Sequence, residues 1–236
     1  MIRVFIGFDP GQTVAFHVLS HSILSRSSIP VSITPVSLAH LDTLYGRSCD
    51  PKPSTDFSFS RFLTPYLSDY TGWSIFLGCN MLMLDDIAKL WALRDEYYAV
   101  QVIKHNLITE ETNKYQRIPQ SAYARQYWSS VMLLNNARCT ALTPEYVNQA
   151  SGLDLHRLGW LPHDGLIGPL PCRWNHLVGY DQPRENTSLV HYTIGGPYFE
   201  ESKCCEYSQQ WFDELDCMLF GEQPEGPLSM PFAMEG

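Results

Sequence analysis

The first apolar run, Arg3 to Phe8, is β-prone and stops at Asp9-Pro10-Gly11; from Thr13 onward, Val14, Ala15, Val18, Leu19 and Ile23 recur at helical spacing. This predicts a strand, a tight turn and a helix. Val31 to Val36, framed by Pro30 and Pro35, reads as a second strand, and Ser48 to Thr55 as a polar, proline-containing loop. Phe59 to Leu67 is aromatic-rich and predicts a short helix despite Pro65. Trp73 to Leu77 forms a strand, Asp86 opens a helix from Ile87 to Leu93, and Tyr98 to Ile103 forms the next strand. Asn106 to Tyr127 is polar and aperiodic, as in a long loop or lid. Strand character returns at Val131 to Asn135, and Thr143-Pro144 starts a helix with proline in its first turn. Beyond Ser151 the density of Gly, Pro, Trp and His rises, which predicts loops, a last strand at Leu189 to Thr193 and a closing helix at Ser208 to Phe220.

Strands that alternate with helices favour a mainly parallel or mixed sheet covered on both faces, because parallel neighbours need crossover connections. The expectation is one α/β domain over residues 1–220, with a loose tail at 221–236 rich in Pro and Gly. Ligands on such sheets gather at the carboxyl ends of the strands. Composition narrows the partners. With 236 residues and 44% hydrophobic side chains the chain can bury one sizeable core, and a net charge of −9 repels nucleic acid and anionic lipid. A phosphate-bearing small ligand then needs a local cation or a helix N-terminus. The start lacks the pattern of a signal peptide and no run of about 18 apolar residues occurs, so a cytoplasmic protein without a membrane span is expected. Seven cysteines without a C-x-x-C pair read as free thiols.

There is no G-x-S-x-G, no G-x-x-x-x-G-K-[ST], no G-x-G-x-x-G and no H-E-x-x-H. Four strand-end segments remain. In Phe8-Asp9-Pro10 an acidic residue leaves a strand beside a helix start, where it can bind a ribose or simply cap the turn. Arg61 stands alone in the apolar stretch Phe59 to Pro65, either as a diphosphate clamp or as a surface cation with a packed stem. Trp73 to Ile87 contains Ile-Phe-Leu-Gly78-Cys79-Asn80-Met-Leu, and His191-Tyr-Thr-Ile-Gly195-Gly196-Pro197 closes the series.

In this order and spacing the segments resemble the retaining glycosyltransferases of family 8 and their bacterial and phage-like relatives of GT-A fold, over roughly Ile2 to Trp211. The echoes extend to Trp128 to Asn135, Leu142 to Glu145, Leu155-His156 and Trp174-Asn175-His176. The resemblance implies transfer of a sugar from a nucleotide diphosphate, uridine being the commonest, to an acceptor with retained configuration. It implies that Phe8 and Asp9 meet the nucleoside, that Arg61 lies near the donor, and that Gly78, Cys79, Asn80, His191, Gly195 and Gly196 surround the diphosphate. Lys104, Asn135, Trp174, Asn175 and His176 would line the sugar or acceptor side.

One departure matters. The family's Asp-x-Asp, whose carboxylates hold Mn²⁺ or Mg²⁺, reads Gly78-Cys79-Asn80 here. Hard cations want anionic oxygen, so Asn80 and His191 make a thin shell if a metal binds at all, and no cofactor is assigned. Asp86 is placed to cap the helix from Ile87, Asp85 to offer a displaced ligand, and Cys79 to be either a soft zinc ligand with His191 or a small buried hydrophobe. Three readings follow: a transferase that replaces the metal's charge, a catalytically silent relative that binds a nucleotide or glycan, and an interaction scaffold. Neither the sugar nor the acceptor is legible, and no catalytic residue is assigned.

Overall fold

A computed structural model describes residues 1–47, 57–105, 125 and 127–221, together with the backbone of two short strands at 112–114 and 118–120. The expected loop at Ser48 to Thr55, the tail and most of the expected lid lie outside the described residues.

The strands are β1 (Ile2–Gly7), β2 (Val31–Val36), β3 (Trp73–Leu77), β4 (Met81–Met83), β5 (Val100–Val102), β6 (Thr112–Lys114), β7 (Ile118–Gln120), β8 (Val131–Asn135), β9 (Ile167–Pro169), β10 (His176–Leu177) and β11 (Leu189–His191). The helices are α1 (Thr13–Arg26), α2 (Thr64–Leu67), α3 (Ile87–Trp91), α4 (Pro144–Gln149), α5 (Gly152–His156) and α6 (Ser208–Phe220). The central sheet runs β2-β1-β3-β8-β5-β9. All of its neighbours pair in parallel except around β8, which is antiparallel to both β3 and β5. A second sheet, β10-β11-β4, holds β11 parallel to β10 and antiparallel to β4.

The sequence explains which strands lie in the middle. All five residues of β3 and of β8 are buried, as both faces of an inner strand must be. β2 is half exposed and tolerates Pro35 because it forms an edge, where a missing N–H breaks no inner ladder. Helix starts follow their caps: Asp86 Oδ1 accepts from the Ala88 amide ahead of α3, and Thr143 Oγ1 from the Tyr146 amide ahead of α4. Phe59 to Leu67 divides into a 3₁₀ turn at Ser60–Leu63 and the single turn of α2.

Two apolar clusters result. The larger packs the central sheet against Phe16, Leu19 and Ile23 of α1 and against Leu63, Ile87, Val147 and Leu155. The smaller gathers Val18, Leu82, Val178, Val190, Tyr192 and Trp211 between α1, the second sheet and α6. α1 is therefore shared, and it ties the second sheet to the first. At its far end the buried Glu214 of α6 receives Arg26 at 2.6 Å and His21 at 2.5 Å, fixing α6 against α1. Among the described residues no helix is long and apolar enough to cross a membrane.

Candidate functional site

β1 and β3 end side by side, and the chain leaving β3 at Gly78 doubles back into β4, the strand that pairs with β11. Between these ends lies a pocket lined by Gln12, Arg61, Gly78, Asn80, His191 and Gly195, among others. Its cavity measures ≈ 70 Å³, against ~300 Å³ at the lower end of small-molecule sites. That is room for a small fragment, not for a whole nucleotide sugar. A wider cleft of ≈ 480 Å³ passes Arg3, Ser32, Thr34 and His40. There the Arg3 guanidinium is spent on the carbonyls of Trp73, Ser68 and Thr71.

Arg61 is 8% exposed and held from two sides: Nε donates to the Phe57 carbonyl at 3.2 Å and a terminal nitrogen to the Ser129 carbonyl at 2.9 Å. The rings of Phe57 and Phe76 each lie 5.3 Å from the guanidinium carbon. Ser129 is in turn fixed by its hydroxyl at 2.7 Å from His156 Nδ1. The result is a buried cation with its direction set, at the wall of the pocket. Asn80 donates from Nδ2 to the Tyr192 carbonyl at 3.2 Å, which locks the loop after β3 to the strand end of β11. His191 is bonded through Nδ1 to Asn175 Oδ1 at 3.0 Å. The roof is the segment from Gly195 to Phe199, fastened by the Tyr198 hydroxyl, which donates to Gln12 Oε1 at 2.7 Å. Gly195 has φ +121°, and a Cβ there would sit 2.7 Å from Ser202 Oγ, so the roof's turn requires glycine.

Gly7, the last residue of β1, supports the same pocket from below. A Cβ on it would lie 2.3 Å from Phe57 Cγ. Gly7→Ala is therefore expected to displace the Phe57 ring from Arg61 and destabilise the protein by about 1–3 kcal/mol, the usual range for overpacking. Thermal unfolding of the variant checks this; a wild-type melting temperature would refute it.

Of the residues singled out by sequence, Arg61, Gly78, Asn80, His191 and Gly195 meet at this pocket, and Gly196 continues its roof. Phe8 and Asp9 follow the end of β1 and are not among the lining residues. Phe8 packs edge-on against Phe16, and Asp9 accepts from the Gly11 amide at 2.9 Å and from Gln12 Nε2 at 3.3 Å, so it caps the turn. Lys104, just past the carboxyl end of β5, donates to the Ile167 carbonyl at 2.7 Å. The others are placed differently. Cys79 is fully buried and is not among the residues that line the pocket, and burial, reinforced by the charge of Asp9, pushes its thiol far above the ordinary range, as for a small buried hydrophobe. Asn135 lies at the opposite end of the sheet, opposite Trp73, and donates to Glu96 at 3.0 Å. Trp174 is a core residue. His176 is buried against Glu206 at 3.1 Å, with Tyr207 edge-on to its ring. Asn175 lies behind His191. Gln12, Phe57 and Tyr198 line the pocket without having been singled out, since no spacing or motif sets them apart, and Ser130 reaches it from within the quoted Trp128 to Asn135 segment.

The donors do not suit a hard cation. Asp85 Oδ1 accepts from Lys89 at 2.7 Å and the Asp86 amide at 2.8 Å, and Oδ2 from Arg173 at 2.5 Å and Ser188 at 3.2 Å. Burial alone would raise its pKa, but Lys89, the Asp86 amide and Ser188 outweigh it and hold the carboxyl below the usual range. Asp85 is thus a structural anion. Among the described residues no three His, Cys, Asp or Glu side chains are grouped to hold a metal ion. Among the described residues the pocket wall offers the carboxamides of Gln12 and Asn80, hydroxyls such as that of Ser130, the imidazole of His191 and the guanidinium of Arg61, with no carboxylate, and the guanidinium repels a cation.

A mainly parallel sheet flanked by helices, with a pocket at the strands' carboxyl ends and a second small sheet closing over it, defines the GT-A glycosyltransferase fold. The chain superimposes on the apo bifunctional glycosyltransferase WbbM with a TM-score of 0.65 at 12% identity, over 91% of this chain and 49% of that one. It also matches the galactosyltransferase LgtC, in complex with donor and acceptor sugar analogs, at a TM-score of 0.56 and 10% identity, over 91% of this chain and 95% of that one. The apo GlyE glycosyltransferase of Streptococcus pneumoniae TIGR4 matches at a TM-score of 0.59 and 14% identity, over 91% of this chain and 60% of that one. The chain thus spans only about half to three fifths of WbbM and GlyE. No protein-family profile matches it. By sequence it is 43% identical over 223 residues to Protein CDI of Arabidopsis thaliana, covering 91% of this chain and 86% of that protein, and it belongs to the Protein CDI family.

Proposed function

We propose that the protein is a nucleotide-sugar-dependent glycosyltransferase that binds the donor diphosphate without a metal ion. The observation that carries this reading is the pocket itself: Arg61, Asn80 and His191 converge at the carboxyl ends of β1 and β3, under a roof held by Gln12 and Tyr198. In a chain of net charge −9 a buried, oriented guanidinium at that place serves an anion. The cavity fits a diphosphate, with the nucleoside extending toward Phe8 and Asp9 and the sugar toward Lys104. UDP-sugar and retention of configuration follow from the family 8 resemblance.

In this reading Arg61 balances the charge that grows on the diphosphate as the bond from the sugar's anomeric carbon to the phosphate oxygen breaks. The acceptor hydroxyl forms the new bond on the same face and its proton passes to the leaving phosphate oxygen. The second reading, a silent relative that binds a nucleotide or glycan, is favoured by the loss of both family carboxylates at Gly78 and Asn80.

Thermal-shift and calorimetric titrations with UDP, UDP-glucose, UDP-galactose and GDP-mannose, each with Mn²⁺ and with chelator, separate these. The expected result is stabilisation by a uridine nucleotide of equal size in both conditions; at a ligand concentration of 100 Kd it amounts to about 2.7 kcal/mol. No shift with any nucleotide would sink the donor-site proposal. Binding without sugar release from any donor would leave the silent relative.

A further inference from the structure

The wider cleft beside β2 shares no lining residue with the pocket. Arg3, Phe5 and Gly7 alternate onto one face of β1, and their partners in register on the edge strand are Ser32, Thr34 and Val36. Phe57 packs on this face against Gly7, on the side of the pocket. The cleft lies over Arg3 and Phe5, bounded by Leu67 of α2 and by the 3₁₀ turn that follows β2, from Ser37 to Leu41.

Its lining is divided between apolar surface, from Phe5, Leu41 and Leu67, and polar groups, from Ser32, Thr34, Ser37 and His40. Ser32 and Thr34 stand on one face of an extended strand, about 6.6 Å apart along it. Ser37 is 6% exposed. Among the described residues no hydrogen bond engages these three hydroxyls or the His40 ring, and a hydroxyl as nearly buried as that of Ser37 is left for whatever enters the cleft. Among the described residues no carboxylate lines it, and its one permanent charge, Arg3, is turned to the carbonyls of Trp73, Ser68 and Thr71. An anion therefore meets no uncommitted guanidinium and a cation no carboxylate. The open groups are chiefly hydroxyls, which both donate and accept, beside apolar surface. That combination suits a ligand with alcohols on one edge and C–H groups on its face. Pro35 removes an N–H from the free edge of β2, which argues against an added peptide strand.

We infer that this cleft is a binding site for a neutral saccharide, separate from the donor pocket, in which Ser32, Thr34 and Ser37 hydrogen-bond the sugar hydroxyls while Phe5 and Leu67 meet its apolar face. The cleft measures ≈ 480 Å³, within the ~300–1,000 Å³ of small-molecule sites. The assignment does not rest on the function proposed above, because none of these residues touches the pocket.

The test titrates the full ¹⁵N-labelled chain with maltose, cellobiose and lactose and reads the amide shifts. At least one of the three disaccharides is expected to move the Ser32, Thr34, Ser37 and Leu41 amides saturably, and inorganic phosphate is expected to leave them in place. Thr34→Val keeps the shape of the side chain without its hydroxyl, and Ser37→Ala removes one oxygen; each is expected to weaken binding by about fivefold, as for one lost hydrogen bond between neutral groups. Thr34 is exposed, so its variant keeps the fold; should Ser37→Ala fail to fold, Thr34→Val and Ser32→Ala carry the comparison. No saturable shift at the cleft with any of the three disaccharides, or an affinity unchanged in all the folded variants, would overturn the assignment. Saturation by phosphate in place of sugar would overturn it too, by making the site one for anions. Disaccharide binding without any response to UDP would remove the donor reading and leave this site; a response to UDP alone would do the reverse.

Discussion

Arg61→Met lowers affinity for UDP by about ten- to a hundredfold in the presence of chelator, as expected for the loss of a hydrogen bond to a charged group worth about 1.5–3 kcal/mol. No other side chain named on the pocket wall combines permanent charge with burial and fixed direction. The same substitution frees the carbonyls of Phe57 and Ser129, at a cost to the fold of about 1–3 kcal/mol. Methionine fills most of the space between the Phe57 and Phe76 rings, so the chain remains folded. Arg61→Lys separates charge from shape. A lysine keeps the cation but cannot satisfy two carbonyls in a planar fork and face a ligand as well, so most of the loss persists. Calorimetric titration gives the affinities and thermal unfolding gives the cost to the fold. A dissociation constant unchanged in Arg61→Met would remove the guanidinium from the site and with it the case for metal-free diphosphate binding.

The fold was legible wherever burial is continuous. β1, β3, β8, α1 and α6 follow their apolar patterns within a residue or two, because the strands are near-continuous apolar runs and the helices bury a face long enough to impose a period. β4, β9 and β10, of three, three and two residues, are too short to carry one, and α5 hides in a segment dense with glycine and tryptophan. The direction of β8 was not legible at all. Its composition is that of any buried inner strand, and only the pairing with β3 and β5 shows it to be antiparallel. That reversal explains why Asn135 misses the site. A residue at the carboxyl end of a parallel strand would face the pocket; at the end of an antiparallel one it faces Trp73 and Glu96 on the far edge. For the same reason the opposite end of β8 supplies Ser130 to the pocket and Ser129 to Arg61. Trp174 and His176 show a second limit. A Trp-Asn-His triplet advertises polar chemistry, but which of the three reaches the site depends on a turn and a two-residue strand, and here only Asn175 comes near, from behind.

Trp211→Ala is expected to destabilise the protein by about 3 kcal/mol, the low end of the range for removing a buried Trp, while Trp211→Phe changes stability by less than about 1.5 kcal/mol. Trp211 is 1% exposed on α6 and is the largest member of the smaller core, with the Tyr198 and Phe212 rings at 5.4 and 5.3 Å. Alanine leaves a cavity between α6, α1 and the second sheet that these neighbours fill only in part. Among the described residues the buried indole Nε1 has no hydrogen-bond partner. Deleting the ring therefore also removes an unsatisfied donor, which offsets part of the cavity cost and places the expected value at the low end. Phenylalanine gains the same relief with a far smaller void. The effect also reaches the pocket, because Trp211 backs Tyr198 and Tyr198 holds Gln12 across the roof. Trp211→Ala should then weaken UDP binding as well, and Trp211→Phe should spare it. Chemical denaturation measures the first pair of effects and calorimetry the second. If the alanine variant unfolds like the wild type, α6 is not part of the cooperative core; if it loses stability but binds UDP unchanged, the roof is held by the Tyr198–Gln12 bond without support from α6.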